Sequence, residues 1–110
     1  MGRFQLGEFE QRVLLAILRC DDDPPAADVR RELERLLGRE VSRGAFYTTL
    51  ERTEAKGLLT WRLRSRGRSS DLPERCLQVT PDGMKALREL RKALLSMWGG
   101  LEPLFDKGAK

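Results

Sequence analysis

The chain has 110 residues, of which 40% are hydrophobic and 35% are charged, as is typical of one charge-rich globular domain. It contains no histidine and two cysteines far apart in sequence, Cys20 and Cys76. These counts exclude zinc sites built on Cys/His spacing and acid/base catalysis by histidine. We therefore expect neither a cofactor nor an enzyme activity.

We expect both cysteines to be reduced and to act as small hydrophobic residues. A redox switch would need a partner thiol and an environment that lowers a thiol pKa. No apolar run reaches membrane-spanning length and no secretory segment follows Met1, so we expect a cytoplasmic protein with no membrane partner. The net charge of +4 is unevenly distributed, since residues 1–41 carry −2 and residues 42–110 carry +6. A basic second half suits nucleic-acid binding, although Lys and Arg also solvate ordinary surfaces.

Two helices are predicted in the first part of the chain. Apolar residues recur at three- and four-residue intervals between residues 9 and 18, which predicts an amphipathic helix over about residues 7–20. The run of acidic residues and prolines at 21–25 ends it. Pro25 suits the first turn of a second helix, whose apolar face lies within residues 29–37 and which Gly38 ends.

A third helix is predicted over about residues 42–56. Ser42 is a preferred N-cap residue, because its hydroxyl accepts from a free backbone N–H. Phe46 and Leu50 lie four residues apart and share a buried face, and Gly57 follows the helix as its C′ residue. The remaining surface carries hydroxyls, an aromatic ring and arginines, which suits a helix that reads a DNA major groove.

The apolar period then changes to two. Leu59, Trp61 and Leu63 alternate with polar residues and predict a half-buried strand, and a second strand is expected to end at Thr80. The polar loop at 65–73 joins the strands into a basic hairpin, or wing. The predicted fold class is therefore mainly α with a small β-hairpin, a winged helix-turn-helix.

A last helix is predicted after this hairpin. Thr80 can cap it, Pro81 suits its first position and Asp82 complements its dipole. We divide the chain into a winged helix-turn-helix domain at residues 1–80, a dimerisation helix at 81–102 and a flexible tail at 103–110. The glycine pair at 99–100 is expected to loosen or end that helix.

Residues 41–58, VSRGAFYTTLERTEAKGL, resemble the recognition-helix motif of the PadR family of bacterial transcriptional regulators. LGEFE at residues 6–10 and LQVTPDG at residues 77–83 match the same family, in the right order and at the right distances. The match covers about residues 4–100. The resemblance implies a winged helix-turn-helix that dimerises through its C-terminal helix and represses transcription at the bacterial nucleoid.

We expect double-stranded DNA as a partner. Arginines reach guanine edges or phosphates, a tyrosine hydroxyl reaches a phosphate, and threonines contact thymine methyls or phosphates. At Gly44 the backbone can approach the sugar-phosphate closely, or the glycine is merely tolerated in a first turn. The contacts expected from the third helix are Ser42, Arg43, Gly44, Tyr47, Thr48, Thr49 and Arg52. Those expected from the wing, unless it only solubilises, are Arg62, Arg64, Arg66, Arg68 and Arg75.

A homodimer is expected because one recognition helix reads too few base pairs, whereas a two-fold pair reads an inverted repeat. The interface residues expected are Phe9, Met84, Leu87, Leu90, Leu94, Met97, Trp98 and Leu101. The alternative is that the last helix folds back onto its own domain. Some PadR relatives hold flat aromatic compounds between tryptophans, so Trp98 either stacks a small aromatic effector or anchors the interface.

The chain departs from the PadR pattern at several positions. Thr53 stands where a leucine is usual, so we expect weaker packing there, and the wing lacks the usual glycine pair and basic cluster. Two other functions stay open. One is a winged-helix module that binds proteins and no DNA; the other is a small-molecule sensor whose DNA contact is vestigial.

Overall fold

A computed structural model describes residues 6–65 and 72–106. Three helices open the chain: α1 at Glu8–Arg19, α2 at Ala26–Leu37 and α3 at Arg43–Ala55. Two glycines end α2 and lead away from α3 as predicted, because Gly38 and Gly57 adopt positive φ angles of 70° and 78°. These helices, with the hairpin that follows, confirm the predicted winged helix-turn-helix fold class.

The hairpin consists of β1 at Leu59–Arg64 and β2 at Glu74–Val79, paired antiparallel with Leu59 opposite Val79. The connection between α1 and α2 adds to the other edge of β2. The N–H of Leu77 donates to the carbonyl of Pro24 at 2.9 Å, and Pro25 forms a bridge with Cys76. The predicted contacts Arg66 and Arg68 lie outside the described residues.

Helix α4 spans Pro81–Trp98, and a short helix α5 spans Glu102–Asp106. The predicted boundaries placed one helix over 81–102 and a tail from 103. The helix ends earlier because Gly99, its C-cap residue, takes a ψ of 128°, outside the helical range, and Gly100 then takes a φ of +85°. Residues 107–110 of the predicted tail lie outside the described residues.

The core lies where α1, α2, α3 and the start of the hairpin meet. Its largest fully buried side chains are Phe46, Leu14, Leu33, Leu50, Leu58, Leu59, Leu77, Val13, Val29 and Thr53. Only the first two turns of α4 join this core, through Gly83, Ala86 and Leu87. Every residue from 91 to 106 is exposed, so the rest of α4 and all of α5 extend away from the body.

Candidate nucleic-acid interface

The turn between α2 and α3 fixes where α3 begins. The Arg30 guanidinium donates to the carbonyl of Val41 at 2.9 Å, and the N–H of Val41 donates to the Glu34 carboxylate at 2.8 Å. The Ser42 hydroxyl then accepts from the N–H of Ala45 at 3.1 Å, which is the predicted N-cap. Side chains from one turn of α2 therefore set the start and direction of α3.

Helix α3 has one buried row of side chains and one row that points directly away from the protein. The buried row consists of Phe46, Thr49, Leu50 and Thr53. The 3.6-residue repeat places the opposite row, here called the outward row, at Gly44, Thr48, Glu51 and Ala55, all of which are exposed. The surface of α3 that a duplex would meet first is therefore largely small and polar.

The prediction that Thr49 contacts DNA is wrong, because this side chain is only 6% exposed. Thr49 lies three residues after Phe46, so the helical repeat turns it into the protein. Its carbonyl accepts the hydroxyl of Thr53 at 2.6 Å, which also gives the buried Thr53 a partner at the position where a leucine was expected. Thr53 thus replaces apolar contact with a hydrogen bond.

Basic side chains flank the outward row on both sides. Arg43 and Tyr47 lie on the flank that faces the hairpin, and Arg52 lies on the flank near the start of α1, where it lines a cleft with Phe9 and Lys56. Arg43, Thr48 and Arg52 are exposed, as the sequence predicted. This arrangement leaves cations where the two walls of a groove would lie.

A stack of rings and guanidinium groups joins α3 to the hairpin. The guanidinium carbon of Arg75 lies 4.3 Å from the ring centre of Trp61 and 5.6 Å from that of Tyr47. The Arg43 guanidinium approaches the Tyr47 ring at 5.8 Å, and Tyr47 meets Phe46 edge to face at 5.2 Å. These contacts hold the hairpin at a fixed position beside α3.

Two of the predicted wing contacts are already engaged within the protein. The Asp23 carboxylate accepts from Arg62 at 2.5 Å and from Gln78 at 2.6 Å, and it lies 3.6 Å from Arg64. The hydrogen bond from Arg62 lowers the pKa of Asp23 below its ordinary value. Both arginines remain more than half exposed, so a phosphate can still approach them from outside. Sequence reasoning missed this role of Asp23.

A buried carboxylate ties the end of α3 to the start of α1. One oxygen of Glu10 accepts from Lys56 at 2.7 Å and from the N–H of Gly7 at 2.8 Å, and the other lies 3.5 Å from the Thr53 hydroxyl. Burial raises the pKa of Glu10, but the bonds from Lys56 and Gly7 outweigh burial and hold that pKa below its ordinary value. Glu10 is therefore a charged, structural residue.

The exposed end of the molecule is strongly apolar. The exposed large apolar residues of this region are Leu94, Leu95, Met97, Trp98, Leu101, Leu104 and Phe105, here called the C-terminal apolar surface. Leu15 and Leu18 of α1 are 41% and 45% exposed and line a groove with Trp98 and other α4 residues. Trp98 and Phe105 contact each other with ring centres 4.9 Å apart.

The predicted dimer residues separate into two groups in the structure. Leu94, Met97, Trp98 and Leu101 are exposed, whereas Met84 and Leu90 are half-buried. Leu87 is only 8% exposed and packs in the core, but it also lines the groove between α1 and α4, so its place at a dimer interface stays a prediction. It lies in the first turns of α4, where the helix is seated on the body.

Phe9, predicted at the interface, is half-buried and packs against the core of its own chain. Leu15 and Leu18 are the apolar α1 residues that line the groove beside α4, together with Gln11. The sequence pattern of α1 could have indicated these two leucines, because its apolar residues cover a wider stripe than a single buried face requires.

No helix within residues 6–65 and 72–106 is both long and apolar enough to cross a membrane. Across the same residues, no cluster of cysteine, aspartate and glutamate side chains is arranged to hold a metal ion.

No model of a known protein family matches the chain, and no curated protein sequence matches it. Several solved structures, in contrast, match the chain. RosR from H. salinarum matches with a TM-score of 0.69 at 23% identity, over 87% of this chain and 80% of that one. The chain has a PadR-like winged-helix fold.

Two structures named for the PadR family support this assignment of the fold. A PadR family transcriptional regulator from Eggerthella lenta matches with a TM-score of 0.65 at 21% identity, over 88% of this chain and 87% of that chain. A PadR-like transcription factor from Bacteroides fragilis matches with a TM-score of 0.64 at 19% identity, over 78% of this chain and 81% of that chain. At these identities, the likeness establishes the fold that the sequence resemblance implied.

Proposed function

We propose that this protein is a DNA-binding transcriptional regulator that acts as a homodimeric repressor on an inverted-repeat operator. The observation that carries the proposal is the exposed, polar outward row of α3, with arginines on both flanks and a basic hairpin beside it. A protruding helix with base-contacting residues and cationic flanks fits the width of a major groove. PadR-like neighbours named as transcription factors and regulators support the same function.

Within this proposal, the side chains have different roles. Thr48 and Gly44 meet the groove floor, Arg43, Tyr47 and Arg52 hold phosphates or base edges, and the Ser42 turn brings the N-terminus of α3 to the backbone. Arg64 and Arg62 contribute phosphate contacts when they exchange Asp23 for DNA. Arg66 and Arg68, which lie outside the described residues, remain proposed contacts. Arg75 mainly orients Tyr47 and the hairpin, because it lies between two aromatic rings.

The proposed partner for the C-terminal apolar surface is a second copy of the chain. Exposed apolar patches of this extent mark interaction surfaces in soluble proteins. Leu15 and Leu18 on α1 extend the surface into a groove that can receive a helix. A two-fold pair built on this surface presents two α3 helices to one face of a duplex, at a separation of about 34 Å for one helical turn.

Repression would follow from occupation of the operator, and release would follow from a change in the spacing of the two α3 helices. Such a change breaks simultaneous contact with both half-sites and removes the advantage of bivalent binding. A small aromatic effector is a second proposal. The groove lined by Leu15, Leu94 and Trp98 has a volume of about 430 Å³, within the range of ligand sites.

Fluorescence anisotropy with labelled random-sequence duplexes tests DNA binding. If a dimer neutralises eight to ten phosphates, the slope of log affinity against log salt is expected to be about −7 to −9. Weak binding with no salt dependence would favour the alternative of a winged-helix protein-binding module. For the effector proposal, aromatic compounds should quench Trp98 and lower DNA affinity; quenching without loss of DNA binding would favour a sensor with vestigial DNA contact.

Arg52→Ala and Tyr47→Phe test the assignment of α3. Loss of Arg52 is expected to cost about 1–3 kcal/mol on one sequence if it reads a guanine, or to reduce the salt slope by about one unit per half-site if it holds a phosphate. Tyr47→Phe should weaken binding by loss of one hydroxyl. Arg12→Ala, which removes the same charge from α1, is the control. If both α3 variants bind like the parent, α3 is not the reading helix.

A further inference from the structure

Glu51 occupies the centre of the outward row of α3, between Thr48 and Ala55. It is exposed, and no residue in the described part of the chain forms an ion pair or side-chain hydrogen bond with it. The arginines of α3 lie to either side of this row. The reading surface of α3 therefore has an acidic centre with an arginine on each flank, and Glu54 shares the flank of Arg43 and Tyr47.

This arrangement has a physical consequence when a helix enters a major groove. The flanks of the helix face the two phosphate walls, while its most outward row faces the base edges on the groove floor. A carboxylate against a wall would be repelled by phosphates. A carboxylate on the floor meets donors and acceptors that differ from base to base.

The base edges of the major groove narrow the possible partners of a carboxylate. Ionised carboxylates only accept hydrogen bonds, so the acceptor atoms O6 and N7 of guanine and O4 of thymine repel them. The donors available are the exocyclic amino groups of cytosine and adenine. Cytosine fits better, because adenine also presents the acceptor N7 beside its amino group.

We propose that Glu51 determines sequence specificity by accepting a hydrogen bond from an exocyclic amino group, that of cytosine in particular, in each half-site. The inference rests on the proposed DNA-binding function and adds the chemistry that the outward row recognises. Glu51 lowers affinity for DNA in general, since it repels phosphates, and restores affinity only where a donor meets it. It converts a basic, non-selective surface into a selective one.

Selection from a random-sequence duplex pool tests the inference with the full-length parent, Glu51→Gln and Glu54→Gln. Glu54 is exposed on the same helix but lies outside the outward row, so its variant matches the charge change. The parent is expected to enrich cytosine at one position of each half-site. Glu51→Gln should enrich adenine there, because an amide pairs with both N6 and N7 of adenine. Glu54→Gln should retain cytosine.

Titrations with the selected duplexes and with their single-base variants measure how strongly Glu51 discriminates between bases. Replacement of the cytosine is expected to weaken binding by the parent about 5- to 150-fold, whereas Glu51→Gln should bind the duplex with adenine at this position more tightly than the duplex with cytosine.

Two results would overturn the inference. If Glu51→Gln selects the same sequence as the parent and binds every duplex more tightly by the same factor as Glu54→Gln, Glu51 acts only as a like charge. The proposed function would survive that result. If the parent binds no duplex in the pool, the proposed function and this inference are both wrong. Circular dichroism of both variants confirms that these exposed substitutions leave the fold intact.

Discussion

At the scale of single residues, Gly83 marks the closest approach of α4 to the body. A Cβ at this position would lie 2.1 Å from the carbonyl oxygen of Leu58 and 2.7 Å from a methyl carbon of Val79. The first atom belongs to the backbone, so the helix itself would have to move. This contact explains the glycine in the TPDG segment that carried part of the family resemblance.

Gly83→Ala is therefore expected to lower the free energy of unfolding by about 3 kcal/mol or more, at the upper end of overpacking costs. Urea denaturation followed by circular dichroism measures the change. Gly44→Ala is the matched control, since nothing lies within 4 Å of a Cβ there. That control should increase helix stability by up to about 1 kcal/mol. If Gly83→Ala is as stable as the parent, the seating of α4 described above is wrong.

The control also separates the two interpretations of Gly44. If Gly44→Ala binds duplex DNA less tightly while its stability rises, the backbone approaches the sugar-phosphate at this point. If DNA binding is unchanged, the glycine is only tolerated in the first turn of α3.

Glu10 gives a pH-dependent contribution to stability with a definite sign. Its folded-state pKa lies below the ordinary glutamate value of about 4.3. The contribution is therefore fully present above that ordinary value and is lost as the pH falls through the lower folded-state pKa. The ion pair with Lys56 and the hydrogen bond from the N–H of Gly7 lower this pKa.

Glu10→Gln is expected to lower the free energy of unfolding by about 1.5–3 kcal/mol at neutral pH, the value of hydrogen bonds to charged groups. The difference from the parent should shrink as the pH is lowered toward 3. Glu8→Gln is the control, because Glu8 forms an exposed pair with Arg12 that is worth about 0.3–0.5 kcal/mol. Equal losses in the two variants would contradict the role assigned to Glu10.

At the scale of elements, the connection between α1 and α2 acts as a support for the hairpin. It extends the sheet at Pro24 and Pro25 and places Asp23 against Arg62 and Gln78. Asp23 has a positive φ of 50°, a conformation that aspartate and asparagine adopt more readily than most residues. An acidic connection thus balances part of the basic charge of the hairpin.

Asp23→Asn is expected to release Arg62 and Arg64 for phosphate binding while keeping the backbone conformation. Each additional phosphate that the arginines neutralise steepens the slope of log affinity against log salt by about 0.9, so DNA affinity should rise most at low salt. Anisotropy titrations across salt concentrations measure the slope. The control is Asp21→Asn, which removes the same charge from the same connection. If Asp23→Asn changes neither the slope nor the DNA affinity at any salt concentration, these arginines do not reach DNA.

The sequence predicted the elements more reliably than the faces of α3. Ser42 and Gly57 determined both ends of the helix through local backbone chemistry. The predicted DNA-contact set, however, included Thr49, which the helical repeat turns into the core three residues after Phe46. The same repeat places Glu51 in the outward row, so the direction of each side chain on α3 depends on its angular position as well as on its chemistry.

At the scale of the whole molecule, the exposed apolar residues are concentrated at one end of the described structure. The body has a closed core, but the C-terminal apolar surface remains exposed to water together with Leu15 and Leu18 of α1. A second copy would cover this surface and place two α3 helices in one assembly. Stability of the dimer and affinity for an inverted repeat should therefore change together.

If the chain forms the proposed homodimer, Leu95→Lys is expected to convert it to a monomer without loss of the fold, because Leu95 is 63% exposed and does not belong to the buried core. Analytical ultracentrifugation measures the change, and binding to an inverted repeat should weaken by at least about tenfold as bivalency is lost. Leu72→Lys is the control for the ultracentrifugation only, since Leu72 is 84% exposed but lies near the basic hairpin, where a lysine would itself affect DNA binding. A dimer that survives Leu95→Lys would place the interface elsewhere.

The sequence by itself determined the order of helices and strands, the ends of α3 and the fold class, because periodicity, caps and glycine conformations are local properties of the chain. Only the tertiary structure decided which residues meet across elements. Asp23 reaches Arg62 over 39 positions in sequence, and Glu10 reaches Lys56 over 46. Leu87 faces its own core while Leu95 faces solvent. Such pairings depend on how helices pack, and no local pattern in the chain specifies that packing.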